Sequence, residues 1–216
     1  MKVFYKKNYI KRIFILLFLL SSFIFISAIS YVDAISTDIA NSVFRLHVIA
    51  NSDSVEDQNL KYKVRDAVLQ YMNQLSINCK SKNEVIELAE NHKQDFQEIA
   101  AKVIQENGYN YDVSVKIGNF DFPTKYYGDI SLPSGNYEAL RIEIGKATGQ
   151  NWWCVMFPPL CFVDVTSGIV PEESKEVMKD NLSEEEYNLI SNKENNEIKF
   201  KFSIIEMIQN LRMANK

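Results

Sequence analysis

Histidine, cysteine, proline and glycine are all scarce in this chain of 216 residues, which contains two, three, five and seven of them. The ligand patterns C-x-x-C and H-E-x-x-H and the EF-hand loop do not occur, so the sequence predicts no metal site and no cofactor. The nucleophile patterns G-x-S-x-G and S-x-x-K are also missing, which leaves no recognised hydrolase signature. Low glycine together with 12% aromatic residues favours a folded chain over a disordered one.

An apolar stretch near the N-terminus is the most prominent feature that is present. Five basic residues between positions 2 and 12 precede twenty uncharged residues, Ile13 to Val32. This layout predicts an export signal whose basic end stays in the cytoplasm. Residues 32–34 fit the pattern that signal peptidase recognises, so cleavage is expected between Ala34 and Ile35. An uncleaved anchor remains open, because twenty helical residues reach about 30 Å, enough to cross a bilayer.

The charge balance changes once this leader is set aside. Beyond residue 34 the chain carries 19 basic and 27 acidic residues, and this excess of acid argues against nucleic acid and anionic lipid surfaces as partners. About 180 residues suffice for one domain with a small appendage. The expected organisation is a leader at 1–34, an α+β domain at 35–168, and an acidic linker with a C-terminal helical segment at 169–216.

Periodicity and capping residues predict the secondary structure. Alternation or continuous apolar character predicts strands at 43–50, 111–117, 120–127, 140–144 and 152–157, with a return at 160–165. Capping signatures at 54–57 and 81–84 predict two long amphipathic helices, the second continuing to residue 107. A third signature at 183–186 and an element at 198–211 predict helices near the C-terminus. The predicted fold is α+β: a mainly antiparallel sheet of about five strands, two long helices on one face and a C-terminal helical extension.

Two of the three cysteines are close enough in sequence to pair. Cys154 and Cys161 are seven residues apart, which on a straight strand would separate them by about 23 Å. A disulfide therefore requires the chain to reverse between them, and the Pro-Pro turn at 157–160 can do this. A disulfide and a pair of buried thiols both remain open. Cys79 is expected to be unpaired in a loop between helices.

Several residues could carry chemistry, and each has a structural explanation as well. Cys154 could be a nucleophile with His47 as its base, although His47 also fits a strand position. Residues 51–54 could offer oxygen ligands, but helix capping explains them equally. The pair Trp152-Trp153 and the Tyr- and Phe-rich run from Tyr109 to Tyr127 could form a polysaccharide or peptide surface, or both Trp rings could be buried. Acidic pairs suited to glycoside hydrolysis are numerous, and spacing alone cannot establish the separation that the reaction needs.

Three sequence blocks cover most of residues 43–165. They are F-R-L-H-V-I-A-N-S-D-S at 44–54 with D-Q at 57–58, L-K at 60–61 and V-R-D-A-V at 64–68 behind it, F-P-T-K at 122–125 with Y-G at 127–128, and G-N-Y-E-A-L at 135–140 followed by G-Q-N-W-W-C-V-M-F-P-P-L-C-F at 149–162. The last block is the most specific, and together the three blocks resemble the stage II sporulation protein R family. The exported leader is also similar to that of the family.

The resemblance implies an endospore-forming, Gram-positive source and a role in sporulation. Such proteins are made in the forespore and secreted into the space between forespore and mother cell, with retention on the forespore membrane as the alternative. There they activate a membrane-embedded aspartic protease of the mother cell, which matures the mother-cell sigma factor. Catalysis would then belong to this partner, and the chain itself would not be an enzyme. Its other expected partner is signal peptidase, during export.

The segments 45–53 and 152–162 are the most family-like, so we expect the partner-binding surface to draw on them. The candidate residues are Arg45, His47, Asn51, Asp53, Trp152, Trp153, Phe157 and Pro158. The polar turn and the Pro-Pro turn could equally be determinants of the fold. Two other functions remain open, an envelope-associated enzyme or accessory acting on cell-wall material and a membrane-anchored binding module.

Overall fold

The secondary structure mixes helices and strands, as the predicted α+β class requires. A computed structural model describes residues 2–161 and 170–191. Its elements are α1 (Lys2–Ser42), β1 (Phe44–Ile49), α2 (Val55–Leu75), α3 (Lys82–Asn91), α4 (Lys93–Glu106), β2 (Val113–Phe122), β3 (Lys125–Tyr127), β4 (Ile130–Leu132), β5 (Gly135–Ile144), β6 (Asn151–Phe157), α5 (Glu172–Asn181) and α6 (Glu184–Ile190). The predicted element at 198–211 and residues 162–165 of the predicted return lie outside the described residues.

Four strands form one sheet in the order β2-β5-β1-β6, and β3 with β4 forms a separate two-stranded hairpin. The β1–β5 pair is parallel, whereas β2–β5 and β1–β6 are antiparallel. A parallel pair needs a long crossover connection. The connection from β1 to β5 contains α2, α3 and α4, followed by β2, β3 and β4. The sheet is therefore mixed, and the extended segment predicted at 120–127 is divided at Pro123 between β2 and β3.

One face of the sheet packs against α2, α3 and α4. The predicted caps are present, since the side-chain hydroxyls of Ser54 and Ser81 accept hydrogen bonds from the backbone N–H groups of Asp57 and Glu84. The single helix predicted from 81 to 107 is wrong, because the chain turns at His92 between α3 and α4. Asn and His have low helix propensity, and the break allows both helices to place apolar residues in one core. This core includes Leu46, Val48, Val64, Val68, Met72, Val85, Phe96, Ala100, Leu140, Ile142 and Cys154.

The opposite face is covered over only part of its area. There the end of α1, the β3–β4 hairpin, α5 and α6 form a second core, so helices lie on both faces of the sheet. The capping box predicted at Ser183 and Glu186 begins α6. The second core includes Ile39, Val43, Phe122, Ile130, Leu132, Tyr137, Ala139, Val155, Leu160, Met178 and Ile190.

Helix α1 belongs to both the apolar leader and the folded domain. Residues 11–42 are long and apolar enough to cross a membrane, and the most apolar part of this stretch is not buried by the protein. The helix is unbroken at the predicted cleavage point, where Ala34 is exposed and Ile35 half-buried. Ile39 and Val43, further along, are fully buried in the second core. The leader is thus compatible with an export signal or a membrane anchor, and its C-terminal end is part of the domain.

Candidate functional site

The two segments predicted to bind a partner lie side by side at the centre of the sheet. Strand β1 pairs with β6 so that His47 lies opposite Trp153 and Val48 lies opposite Trp152. Because side chains alternate along a strand, Arg45, His47 and Trp153 share the partly covered face, whereas Trp152 lies on the helix-covered face. The candidate site is therefore built on the partly covered face.

The less covered half of that face, which we call the open sheet face, consists of Lys116, Phe120, Arg141, Glu143, Asn151 and Trp153 around His47, which is itself buried. The register places His47 directly between Trp153 on β6 and Arg141 on β5, with Lys116 on β2 beyond Arg141. The second core covers the neighbouring half, at Phe122, Tyr137 and Val155. A row of polar and aromatic side chains is thus left at the surface of an otherwise apolar sheet.

His47 is a neutral, stacked residue. Its ring stacks on that of Trp153 with 3.6 Å between centroids, and its Nε2 lies 2.6 Å from the Asn151 side-chain oxygen. The pKa of His47 is lowered to about 4, chiefly by burial; the hydrogen bond to Asn151 opposes this shift and the charge of Arg141 adds to it. The imidazole is therefore uncharged at neutral pH, and its Nε2–H donates to Asn151. This stack fixes the orientation of Trp153.

Glu143 is shared between two cations. Its carboxylate oxygens lie 2.6 Å from the Lys116 Nζ and 2.8 Å from an Arg141 guanidinium nitrogen, and the Ser114 hydroxyl donates to it as well. Burial raises the pKa of Glu143, but the hydrogen bonds from Lys116 and Ser114 and the charge of Arg141 outweigh this and lower it. The Arg141 guanidinium also lies 5.1 Å from the centroid of the Phe120 ring. Two cations thus share one carboxylate, and the cluster carries one net positive charge.

Arg45 lies beneath the surface rather than on it. Its side chain is fully buried, with the guanidinium carbon 4.1 Å from the centroid of the Phe122 ring and 4.6 Å from that of Tyr137. Nη2 donates to the Tyr127 hydroxyl at 2.6 Å, and none of the salt bridges among the described residues includes Arg45. Aromatic faces therefore replace a carboxylate as the stabilising environment of this cation. Because Arg45 is fully buried, it can affect a partner only indirectly, through the surface residues that cover it.

Asn51 and Asp53 join the β1–α2 loop to the turn between β5 and β6. The Asn51 side chain donates to Asp57 at 2.7 Å and accepts from the backbone N–H of Lys146 at 3.0 Å. Asp53 accepts from the backbone N–H of Gln150 at 2.6 Å. A side chain at Gly149 would place its Cβ 2.2 Å from the Ser52 carbonyl oxygen, so only glycine allows this close approach. The polar turn is occupied by contacts that determine the fold.

The remaining candidates lie on the helix-covered face or in the turn after β6. The Trp152 ring lies 4.2 Å from the Arg65 guanidinium and edge-on to Tyr62. Phe157 and Pro158 are buried, and the chain reverses after them so that Cys154 and Cys161 form a disulfide with their Cα atoms 5.1 Å apart. Cys79 is unpaired. Because Cys154 is oxidised and belongs to the core on the helix-covered face, His47 on the other face cannot activate it.

The sequence did not predict Lys116, Arg141 and Glu143 as partner-binding residues, and it indicated Phe120 only as part of the aromatic run from Tyr109 to Tyr127. A signal was present in β5, where charged residues at 141 and 143 alternate with apolar ones in a strand that is otherwise core. Alternation alone does not show that this face remains partly open. Within the part of the chain that the structure describes, no three His, Cys, Asp or Glu side chains lie close enough to hold a metal ion.

Comparisons with known proteins bear on the same region. Residues 40–167 match the family described as stage II sporulation protein R, a range that contains all six strands. Stage II sporulation protein R of Bacillus subtilis (strain 168) is 38% identical over 143 residues, which are 65% of this chain and 64% of that protein. The match thus spans less than two thirds of that relative. No solved structure matches. With more than half of its length matched, including the strands that build the open sheet face, the chain belongs to the stage II sporulation protein R family.

Proposed function

We propose that this protein is an exported sporulation signal that passes from the forespore into the intermembrane space. There it activates a membrane-embedded aspartic protease of the mother cell, which then matures the mother-cell sigma factor. The observation that carries the proposal is the family match over residues 40–167, which supports a sporulation role. The apolar helix before this range supports export, because its basic end is retained in the cytoplasm and its other end leads into the folded domain.

The chemical state and contacts of the candidate residues support a binding role. Cys154 is in a disulfide, His47 is neutral and stacked, and Glu143 is neutralised by two cations. The open sheet face instead offers half-buried aromatic rings beside charged groups, a composition found at protein interfaces. As a ligand, the protein must bind the active state of the protease more tightly than the inactive one. Reversing a 1:99 equilibrium requires a preference of about 10⁴-fold.

An in-frame deletion in an endospore-forming host tests the proposal. The expected result is that the sigma factor precursor remains uncleaved in the deletion strain. An exported copy of the gene restores cleavage, whereas a copy without residues 1–34 does not. The measurement is immunodetection of precursor and mature sigma factor during sporulation. Normal processing without the gene would overturn the proposal, and turnover of purified cell-wall material by the protein would favour the envelope enzyme instead.

A further inference from the structure

The two edges of the sheet differ in how they are protected. At the β6 edge, the chain folds back so that the Leu160 N–H donates to the Val155 carbonyl at 3.1 Å, and the disulfide to Cys154 fixes this return. At the opposite edge, β2 is ten residues long and pairs only with β5 among residues 2–161 and 170–191. An unpaired strand of this length is a template on which another extended chain can add.

The hydrogen-bond register shows which backbone groups of β2 are free. The Gly145 N–H donates to the Asp112 carbonyl at 2.7 Å, so this opposed pair is a hydrogen-bonded one. Hydrogen-bonded pairs alternate with non-bonded ones in an antiparallel ladder, and the even-numbered residues of β2 therefore bond to β5. The odd-numbered residues direct their N–H and C=O groups to the free edge: Val113, Val115, Ile117, Asn119 and Asp121.

The usual means of blocking an edge is absent along the middle of β2. A lysine on an edge strand normally discourages pairing, but the Lys116 side chain is held by Glu143 on the neighbouring strand. Beside it, a Cβ added to Gly118 would meet nothing within 4 Å. Phe120 is half-buried on the same side of the strand. A side chain of an added strand that points to this face would find space beside Gly118 and an aromatic surface next to it.

Charge indicates what kind of segment fits. Lys116 and Arg141 share the single carboxylate of Glu143, and the buried Arg141 Nε has no hydrogen-bond partner within the described chain. An acidic side chain on the added strand would balance this local positive charge.

We propose that β2 is the docking edge for an extended, acidic segment of the partner protein, which adds to the sheet as a fifth strand. Backbone hydrogen bonds to Ile117 and Asn119 would provide much of the affinity, and a carboxylate near Lys116 would provide specificity. This inference rests on the proposed function, since the partner is the protease that the signal activates.

Asn119 allows the edge to be tested without removing a core residue. Its side chain is exposed and its N–H points to the free edge. Asn119→Pro removes that donor at a position where a strand tolerates proline, while the matched Asn119→Ala keeps it. Full-length variants are expressed in the deletion strain, and their recovery with an affinity-tagged protease from sporulating cells is measured. We expect Asn119→Pro to reduce recovery at least about tenfold and Asn119→Ala to leave it within about twofold.

Lys116→Gln provides a second test that leaves the backbone intact. It should weaken recovery several-fold in low salt, and the effect should shrink as salt rises, whereas Lys102→Gln on α4 should have no effect. If Asn119→Pro and Lys116→Gln both match their controls while the wild type binds, the edge assignment is wrong and the proposed function survives. If the wild type itself is not recovered, both are overturned. If the wild type is a dimer and Asn119→Pro dissociates it, a second copy occupies the edge, and the assignment is also wrong.

Discussion

Two neighbouring residues of β1 show how burial alters the role of a polar side chain. Arg45 and His47 both face the partly covered side of the sheet, and both are almost completely buried. Arg45 keeps its charge because guanidinium does not deprotonate in proteins, and aromatic rings stabilise it. His47 instead loses its charge, since burial lowers the pKa of the imidazole to about 4. Each residue supports the open sheet face from within.

Substitutions at Arg45 separate packing from charge. Arg45→Met keeps most of the side-chain volume and removes a buried cation, so we expect a free energy of unfolding within about 1 kcal/mol of the wild type. Arg45→Ala opens a cavity beside Phe122 and Tyr137 and should cost about 3 kcal/mol. Urea unfolding followed by tryptophan fluorescence measures both. Equal losses in the two variants would show that the charge, rather than the packing, is what stabilises this position.

His47 predicts a pH dependence of stability. The folded pKa of about 4 lies below the ordinary value of 6.5, so protons bind preferentially to the unfolded chain. The contribution of His47 to the free energy of unfolding is therefore fully present above pH 6.5 and is lost as the pH falls towards 4. Below pH 4 this residue causes no further change. The full loss is about 3 kcal/mol. His47→Phe keeps a ring against Trp153 and should lack this loss. Urea unfolding at pH 7, 5.5 and 4.5 is the measurement. If the free energy of unfolding falls equally with pH in the two proteins, the prediction is wrong.

At the level of single residues, the sequence predicted which side chains share a strand face but not which part of that face is covered. Alternation correctly separates His47 from Val48 and Trp153 from Trp152. It could not show that Arg45 is buried, because the rings around it come from Phe122, Tyr127 and Tyr137, about eighty residues away in the chain. Long-range contacts of this kind leave no periodic signal in a single sequence.

Among the secondary-structure elements, those with local causes were predicted well. The helices capped by Ser54 and Ser183 begin where the hydroxyl and the residue three positions later indicate. The parallel pairing of β1 with β5 was missed, because strand order depends on how the helices between them cross the sheet. The break at His92 was missed because the apolar residues on either side of it keep a helical spacing.

For the secondary-structure elements, the prediction concerns the C-terminal end of α1. Ile39 is fully buried in the second core, whereas the neighbouring Asp38 is exposed. Ile39→Ala should lower the free energy of unfolding by about 3 kcal/mol, and Asp38→Ala should change it by less than about 0.5 kcal/mol. The same difference is expected in a chain that begins at Ile35, since both residues follow the predicted cleavage point. Chemical unfolding of both forms measures it, and similar losses at the two positions would show that the end of α1 is not part of the core.

At the scale of the molecule, residues 2–161 and 170–191 combine a membrane-compatible helix, two cores and a four-stranded sheet with unequal edges. The α+β class, the apolar N-terminal stretch and the family were accessible from sequence because each has a local or compositional signature. The candidate site was only partly accessible. Its members come from β1, β2, β5 and β6, and their arrangement depends on the order of the strands in the sheet.

The central position of β1 has a consequence for the timing of folding. Its two neighbours, β5 and β6, begin about ninety and one hundred residues later in the chain, so the sheet has a high contact order. In the proposed export, the residues that follow the apolar stretch would cross the membrane first, so β1 would have no partner until most of the domain has followed. The end of α1 cannot be buried before then, because β5 and β6 supply the core that covers Ile39. In the proposed export, the peptide bond after Ala34 would therefore reach signal peptidase in an unfolded chain, and slow assembly of the sheet would set how long it stays accessible.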